Sequence, residues 1–493
     1  MDHPTAATMT PDPRPPVSRR AVVAAGGLGA TAVALGAWGT WQAVGRSSTG
    51  GASFAEPPVS RSADGLLKVV LEAAPGVTLA GRSTHALGYN GHSPGPTLVV
   101  RPGDLVRVTL RNRLDQATNL HTHGLHVSPA GRSDNVFRIV GPGTDADYKY
   151  RIPDDHPSGT FWYHPHHHGT VTDQVFGGLL GAIVVTGPDE PVVDRDRVLV
   201  VSDTTLTSDG TVAGAGHMDA MLGREGDLVL VNGLREPRIE VTAGTTERWR
   251  VVNTCVSRFL DLELEGRPWQ LLGYDGQALS APQERDSLLL APGNRVDVLV
   301  SPSATGSTTL RSRSYDRGDM GMGGGMMGGK VDSSKDVTLA AVTITPGPDA
   351  SRAVSWRGPG VPARDLRRTS VDRSRRLTMT GGGMGMGMTE FGFGGRTFDP
   401  DRVDQKLRLG TVEEWTITNT TTMDHPFHLH VWPMQIVGPE ESAEPDWRDV
   451  VIVPANGQVT VRVDVRDHPG RTVYHCHILD HEDLGMMGVV EAV

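Results

Sequence analysis

"RPGDLVRVTLRN", residues 101–112, runs from a turn built on Gly103 into Val106, Val108 and Leu110 alternating with polar neighbours, and ends on Asn112. A period of two is the mark of a strand with one face buried. The design returns as "TAGTTERWRVVN" (242–253) and "RLGTVEEWTITN" (408–419), where Gly244 precedes Asn253 and Gly410 precedes Asn419 by the same nine positions. Three copies along 493 residues predict an all-β chain of three related β-sandwich domains, at about 66–187, 191–345 and 354–493. With 61 Gly, 34 Pro and short Val-rich runs, the composition agrees.

A net charge of -10 with both signs interspersed argues against a nucleic-acid partner. Ser18-Arg19-Arg20 before the uncharged run 21–44 reads as a twin-arginine export signal. Residues 1–55 are therefore expected to be signal and linker, with cleavage near Ala55 or retention as an anchor, the one route to a membrane. The destination is extracytoplasmic: secreted, cell-envelope or periplasmic. Two cysteines leave no room for a disulfide framework, and Cys255 in "RVVNTC" reads as a buried strand thiol.

A second repeat links only the ends of the chain: "DHPSGTFWYHPHHHG" from Asp155 is similar to "DHPGRTVYHCHILDH" from Asp467. Histidine chemistry should thus belong to the first and third domains. The histidines cluster as "HTHG" (His121, His123), "HPH" (His164, His166), "HPFHLH" (His425, His428, His430) and "HCH" followed by His481. Strand residues two apart share a face, so each H-x-H pair is a two-pronged claw. Within "HCH", His475 and His477 must then face away from Cys476, and one tripeptide touches two sites.

One thiolate, two imidazoles and a nearby thioether make the donor set of a blue copper centre. Cys476, His481, Met486 and His425 supply it, and eight histidines remain as four pairs, enough for an all-imidazole site holding three coppers. A structural zinc site would want several cysteines. These four clusters use ten of the 19 histidines; His126, His156, His167, His168 and His468 stay unassigned.

From about Leu66 onward, "HTHG", "HPHHHG", "HPFHLH" and "HCHILDHEDLGMM" resemble the four copper motifs of the multicopper oxidases, which include laccases and bacterial cuprous oxidases. The resemblance implies three cupredoxin-like Greek-key sandwiches and four copper ions. It matches His425, Cys476, His481 and Met486 to type 1 copper, with Met486 preferred to Met487 as axial ligand. His121 and His428 match the type 2 ion. His123, His164, His166, His430, His475 and His477 match the type 3 pair. Electrons from a reductant would pass from type 1 copper through Cys476 and its neighbours to the cluster, where dioxygen becomes water. Glu482 and Asp134 resemble the acidic residues that supply protons there.

Two segments, "DMGMGGGMMGGK" and "MTGGGMGMGM", set methionines among glycines without a strand or helix period. Thioethers select Cu(I). Met320, Met322, Met326, Met327, Met384, Met386 and Met388 are accordingly expected to collect cuprous ion, in the manner of cuprous oxidases, and to exclude bulky phenols. Cuprous ion is the favoured reductant, with small phenols or aromatic amines, as for a laccase, the alternative. An exported copper-storage protein without turnover is the competing class. Three domains suffice for a monomer.

Overall fold

The computed structural model describes residues 51–188, 190–318, 335–347, 356, 358–359, 364–381, 390–438 and 444–493. The expected export signal before residue 51 and Met320, Met322, Met326, Met327, Met384, Met386 and Met388 lie outside them.

Each repeat folds in the same way. Leu105–Asn112 buries Val106, Val108 and Leu110 and exposes Arg107 and Arg111. It lies between a parallel strand, Leu66–Pro75, and an antiparallel one, Asp145–Arg151. Glu247–Asn253 has parallel Arg195–Thr204 and antiparallel Arg295–Val300 as neighbours. Thr411–Asn419 is held identically by Arg373–Thr380 and Gln458–Val465. Glycines at the turns, Gly103, Gly244 and Gly410, have φ of 84°, 76° and 78°, a left-handed conformation that a Cβ disfavours.

The terminal asparagines explain why the repeat is spelled as it is. Asn112 Nδ2 donates to the carbonyls of Gln116 and Val140, while Oδ1 accepts from Leu114 N. Asn253 makes the same three-way joint with Arg258, Leu290 and Cys255. Asn419 makes it with Met423, Val453 and Thr421. All three amides are buried, and each satisfies backbone groups left over where a strand ends and the chain turns away.

Each repeat strand belongs to a sheet that packs on a second, giving three cupredoxin-like sandwiches with one apolar core each. The cores are closed by large side chains such as Tyr148, Trp249 and Trp415. The middle repeat departs from the half-buried pattern expected of it, being buried on both faces. Its outer face carries Arg248 and Arg250, paired with Asp297, Glu190 and Asp196. Thr160 of the first sandwich donates to the same Asp297. Charges taken out of water in this way must be matched partner for partner, so this face fixes the first sandwich to the second. Before the first sheet, Arg238 N donates to the Ala52 carbonyl and Asn232 Nδ2 to that of Ala55.

In the first sandwich His121–His123 pairs with Gly159–His164, setting His121 opposite His164. In the third, His425–Leu429 pairs with Gly470–Cys476, setting Phe427 opposite Cys476 and His428 opposite His475. Replacing Asn112 with Ala leaves the Gln116 carbonyl and the Leu114 N–H without their partner, while Val140 keeps Thr118 N, at a cost of about 1–3 kcal/mol per orphaned group. The expected result is a lowered thermal midpoint with an unchanged strand content by circular dichroism.

Candidate metal centre

Alternation along two neighbouring strands sorts the donors. His425 shares a face with Phe427 and Leu429, whose side chains belong to the third core together with Cys476 and Met486. His428, His430, His475 and His477 take the opposite face, towards the first sandwich. The inner donors form a triangle: Cys476 Sγ lies 3.4 Å from His425 Nδ1 and 3.8 Å from His481 Nδ1, and the two nitrogens are 3.3 Å apart.

Partners on the far side of each ring aim these nitrogens. The Thr421 hydroxyl can give its proton to Asn419 Oδ1 and so accepts from His425 Nε2 at 2.8 Å. The Met221 carbonyl accepts from His481 Nε2 at 3.1 Å. Both Nδ1 lone pairs are therefore left for a ligand role, as second partners of metal-binding histidines generally arrange. Phe391 stacks on His481 at 4.2 Å and completes its cover. Met486 and Met487 are separated by the same alternation. Met487 pairs with His475 and packs with Val136 and Val473, whereas Met486 packs in the core that holds Cys476.

The outer donors meet those of the first sandwich. His475 Nε2 lies 3.2 Å from His166 Nε2 and 3.1 Å from His430 Nε2, and His477 Nε2 lies 3.3 Å from His123 Nδ1. His121, His123 and His164 offer donors within 4.8 Å of one another, as do His166, His430 and His475. Here too the remote nitrogens are tied down. His121 Nδ1 donates to Asp134, His428 Nδ1 to the Asp449 carbonyl, and His164 Nδ1 to the Pro165 carbonyl. The opposite atoms, Nε2 of His121, His164 and His428, are buried and have no hydrogen-bond partner. Buried imidazole lone pairs converging without donors are what a metal cluster requires, and the donor set fits copper.

A short helix, Leu479–Asp483, splits two adjacent residues between the sites. His481 turns to the thiol, while Glu482 Oε2 lies 3.0 Å from His475 Nδ1 and Oε1 lies 3.5 Å from His166 Nε2. Burial pushes the Glu482 pKa up, but His166 and His475 outweigh it and bring it down to about 2. Asp134, which also accepts from Thr122 N, is raised by burial to about 7. Burial likewise pushes the Cys476 thiol up, so binding a metal there displaces a proton.

Three contributors had no signal in the sequence. Asp449 touches His123 Nε2 at 3.1 Å through Oδ1 while its carbonyl holds His428. Arg295 of the middle sandwich grips that carboxylate with two hydrogen bonds of 2.6 and 2.7 Å. Asp275 in turn accepts from Arg295 N and Asn294 Nδ2. The glycine of "HTHG" is explained by this ion pair, since a Cβ on Gly124 would meet the Arg295 guanidinium and the Asp449 carboxylate. Of the unassigned histidines, His167 is half-buried, His168 stands against Phe398, and His126, His156 and His468 gather together where the first and third sandwiches meet. Cys255 is a buried free thiol.

Comparison with known proteins gives one consistent result. Residues 73–190, 162–315 and 368–493 match three family descriptions, each "Multicopper oxidase". The chain is 28% identical over 437 residues to "Multicopper oxidase mco" of Staphylococcus haemolyticus, covering 83% of this chain and 84% of that protein. It is 26% identical over 476 residues to a laccase of Bacillus subtilis, covering 82% and 89%. The solved structure described as "Multicopper oxidase from Campylobacter jejuni: a metallo-oxidase" superposes with a TM-score of 0.78 at 29% identity, over 90% of this chain and 95% of that one.

Burial dictates how the metal-free protein responds to acid. It is the leading cause that lowers His164 and His425 to about 3 and His166 to about 4, and it also holds His121, His123, His428, His430, His477 and His481 well below the usual imidazole range. The unfolded chain takes up these protons below pH 6.5 and the folded chain does not, so stability falls on acidification by about 1.4 kcal/mol per pH unit for each excess proton. Asp134, Asp449 and Asp483, raised to about 7, act in the opposite sense but are outnumbered. The thermal midpoint of chelator-stripped protein should drop between pH 6.5 and 4; a flat profile would mean the rings are hydrated.

Proposed function

The chain belongs to the multicopper oxidase family of oxidoreductases, and from that premise we propose that it couples oxidation of cuprous ion to the reduction of dioxygen to water. His425, Cys476, His481 and Met486 would hold a type 1 copper, His121 and His428 a type 2 copper. His123, His164 and His477 would hold one type 3 copper, and His166, His430 and His475 the other. The bound ions supply the one-electron redox chemistry and the binding of dioxygen.

The observation that carries the proposal is the covalent continuity of His475, Cys476 and His477 across two donor sets on opposite faces of one strand. Electrons accepted at the thiolate side have a path of bonded neighbours to the imidazole side. Asp134, raised to about 7 by burial, accepts from His121 Nδ1 and can exchange a proton near neutral pH, and ionised Glu482 stands ready to accept one between His166 and His475. The surrounding apolar core keeps bulk water from both sites. On this reading type 1 copper lies within the third sandwich (354–493), and the cluster is clamped between it and the first (66–187), with 191–345 between them in sequence.

Two features support cuprous ion as the reductant. His481 offers no bare edge to a phenol, because Met221 and Phe391 cover its ring. Both methionine-glycine segments are also rooted beside this site. Gly318 bridges to Met423, Arg317 binds the Leu222 and Gly223 carbonyls, and Phe391 comes three residues after Met388, the last residue of the second segment. Oxidation of phenols is the alternative, favoured by the similarity to the Bacillus laccase. Export by the twin-arginine route, carrying the protein folded with its copper, completes the reading.

Oxygen uptake by copper-loaded protein should be faster with cuprous ion than with a simple phenol. Faster uptake with phenol would make it a laccase; a blue protein without uptake would be a copper store. Cys476→Ser should abolish the blue absorption and nearly all oxidation while the chain still folds. Deleting 320–327 should lower cuprous oxidation and spare or raise phenol oxidation, and equal losses would count against a role in substrate selection.

A further inference from the structure

The chain has four "DHP" tripeptides; the one at 424–426 supplies the donor His425, whereas the histidines of those at 155–157 and 467–469 serve neither copper site. Both nevertheless converge on His126, three residues beyond His123. His156 Nε2 accepts from His126 N at 3.1 Å, while the His468 ring stands edge-on to the His126 ring at 4.6 Å.

The protonation pattern of His126 is set from outside. Its Nδ1 donates to the Val431 carbonyl at 2.8 Å, which turns Nε2 to the opposite side. His126 Nε2 lies 2.8 Å from Asp467 Oδ1, and His468 Nε2 lies 3.9 Å from the same oxygen. His126 Nε2, His468 Nε2 and Asp467 Oδ1 are all shielded from solvent, and none has an aligned hydrogen-bond partner. Two imidazole nitrogens and a carboxylate oxygen gathered this closely away from water call for a shared cation, a metal ion or a proton on the His126–Asp467 pair. Arg466, the neighbouring cation, is turned towards Asp155.

His468 has φ of 60°, a left-handed backbone uncommon for a residue with a Cβ, and this conformation presents its ring to His126. Burial, aided by His126, lowers its pKa and keeps its lone pair available at neutral pH. The two edges, 2.8 and 3.9 Å, suit ligands of one ion with bonds of about 2.0–2.2 Å. Asp467 is 44% exposed, so water can complete the coordination.

We propose that His126, Asp467 and His468 form a divalent metal site, separate from the catalytic coppers, that pins the first sandwich to the third beside the cluster. Two imidazoles and a carboxylate are borderline donors, suited to Zn(II) or Cu(II) and poor for Mg(II) or Ca(II). An ion bound only by the folded chain stabilises it by mass action.

The test uses full-length, copper-loaded protein dialysed against Zn(II), with zinc and copper counted by elemental analysis. Wild-type protein should retain one zinc more than the His468→Asn and Asp467→Asn variants, without losing copper. Each variant should bind zinc more weakly by about tenfold or more, and zinc should raise the thermal midpoint of wild type alone. Asn tolerates the left-handed backbone, and blue absorption and oxidation should be unchanged in both variants. Equal zinc in wild type and variants, or none in wild type at millimolar zinc, would overturn the proposal and leave a His126–Asp467 ion pair.

Discussion

Everything at the heart of this protein depends on the two-residue period of the strand Gly470–Cys476 and its continuation to His477. Because neighbouring side chains on a strand point to opposite faces, Cys476 enters the core of the third sandwich while His475 and His477 leave it. The same rule on His425–Leu429 sends His425 inward and His428 and His430 outward. Two donor sets of different chemistry thus stand one residue apart, held at fixed separation by covalent bonds and not by side-chain packing. One strand also explains why the sites fall in different surroundings: a soft thiolate among apolar side chains, and imidazoles at the junction of two sandwiches.

Placing so many imidazoles in that junction costs solvation, and the chain offsets part of it with fixed acceptors. Five of the remote nitrogens, on His425, His481, His121, His428 and His164, have an acceptor: Thr421, the Met221 carbonyl, Asp134, the Asp449 carbonyl and the Pro165 carbonyl. These fix ring orientation and direct the lone pairs to common points before any ion arrives. The middle sandwich, which has no histidine strand of its own, enters through Arg295. Its pair with Asp449 steadies His123 through a side chain and His428 through a backbone carbonyl.

How far the sequence discloses this follows from distance along the chain. Strand period and the Gly–Asn repeat are local, and they disclose three sandwiches before any contact is known. The H-x-H claws are equally local, and the opposition of Cys476 to its neighbours follows from geometry alone. Partners far apart in sequence leave no trace: Asp449 sits in an ordinary "DWRDVV", and Arg295 joins it from 154 residues away. The middle repeat looked half-buried because its outer face is written in arginines, and only the acidic partners from other strands show that face to be interior. The methionine-glycine segments have no period to read, and their purpose rests on composition and on where their ends are anchored.

The central claim is that one strand connects a single-electron entry site to a cluster that reduces dioxygen completely. It is tested most directly by following dissolved oxygen during cuprous oxidation by the copper-loaded protein and then adding catalase. The account predicts that no oxygen returns, because water is the only product. Oxygen released on adding catalase would mean that hydrogen peroxide leaves the protein, and the donor sets would not be acting as one connected unit.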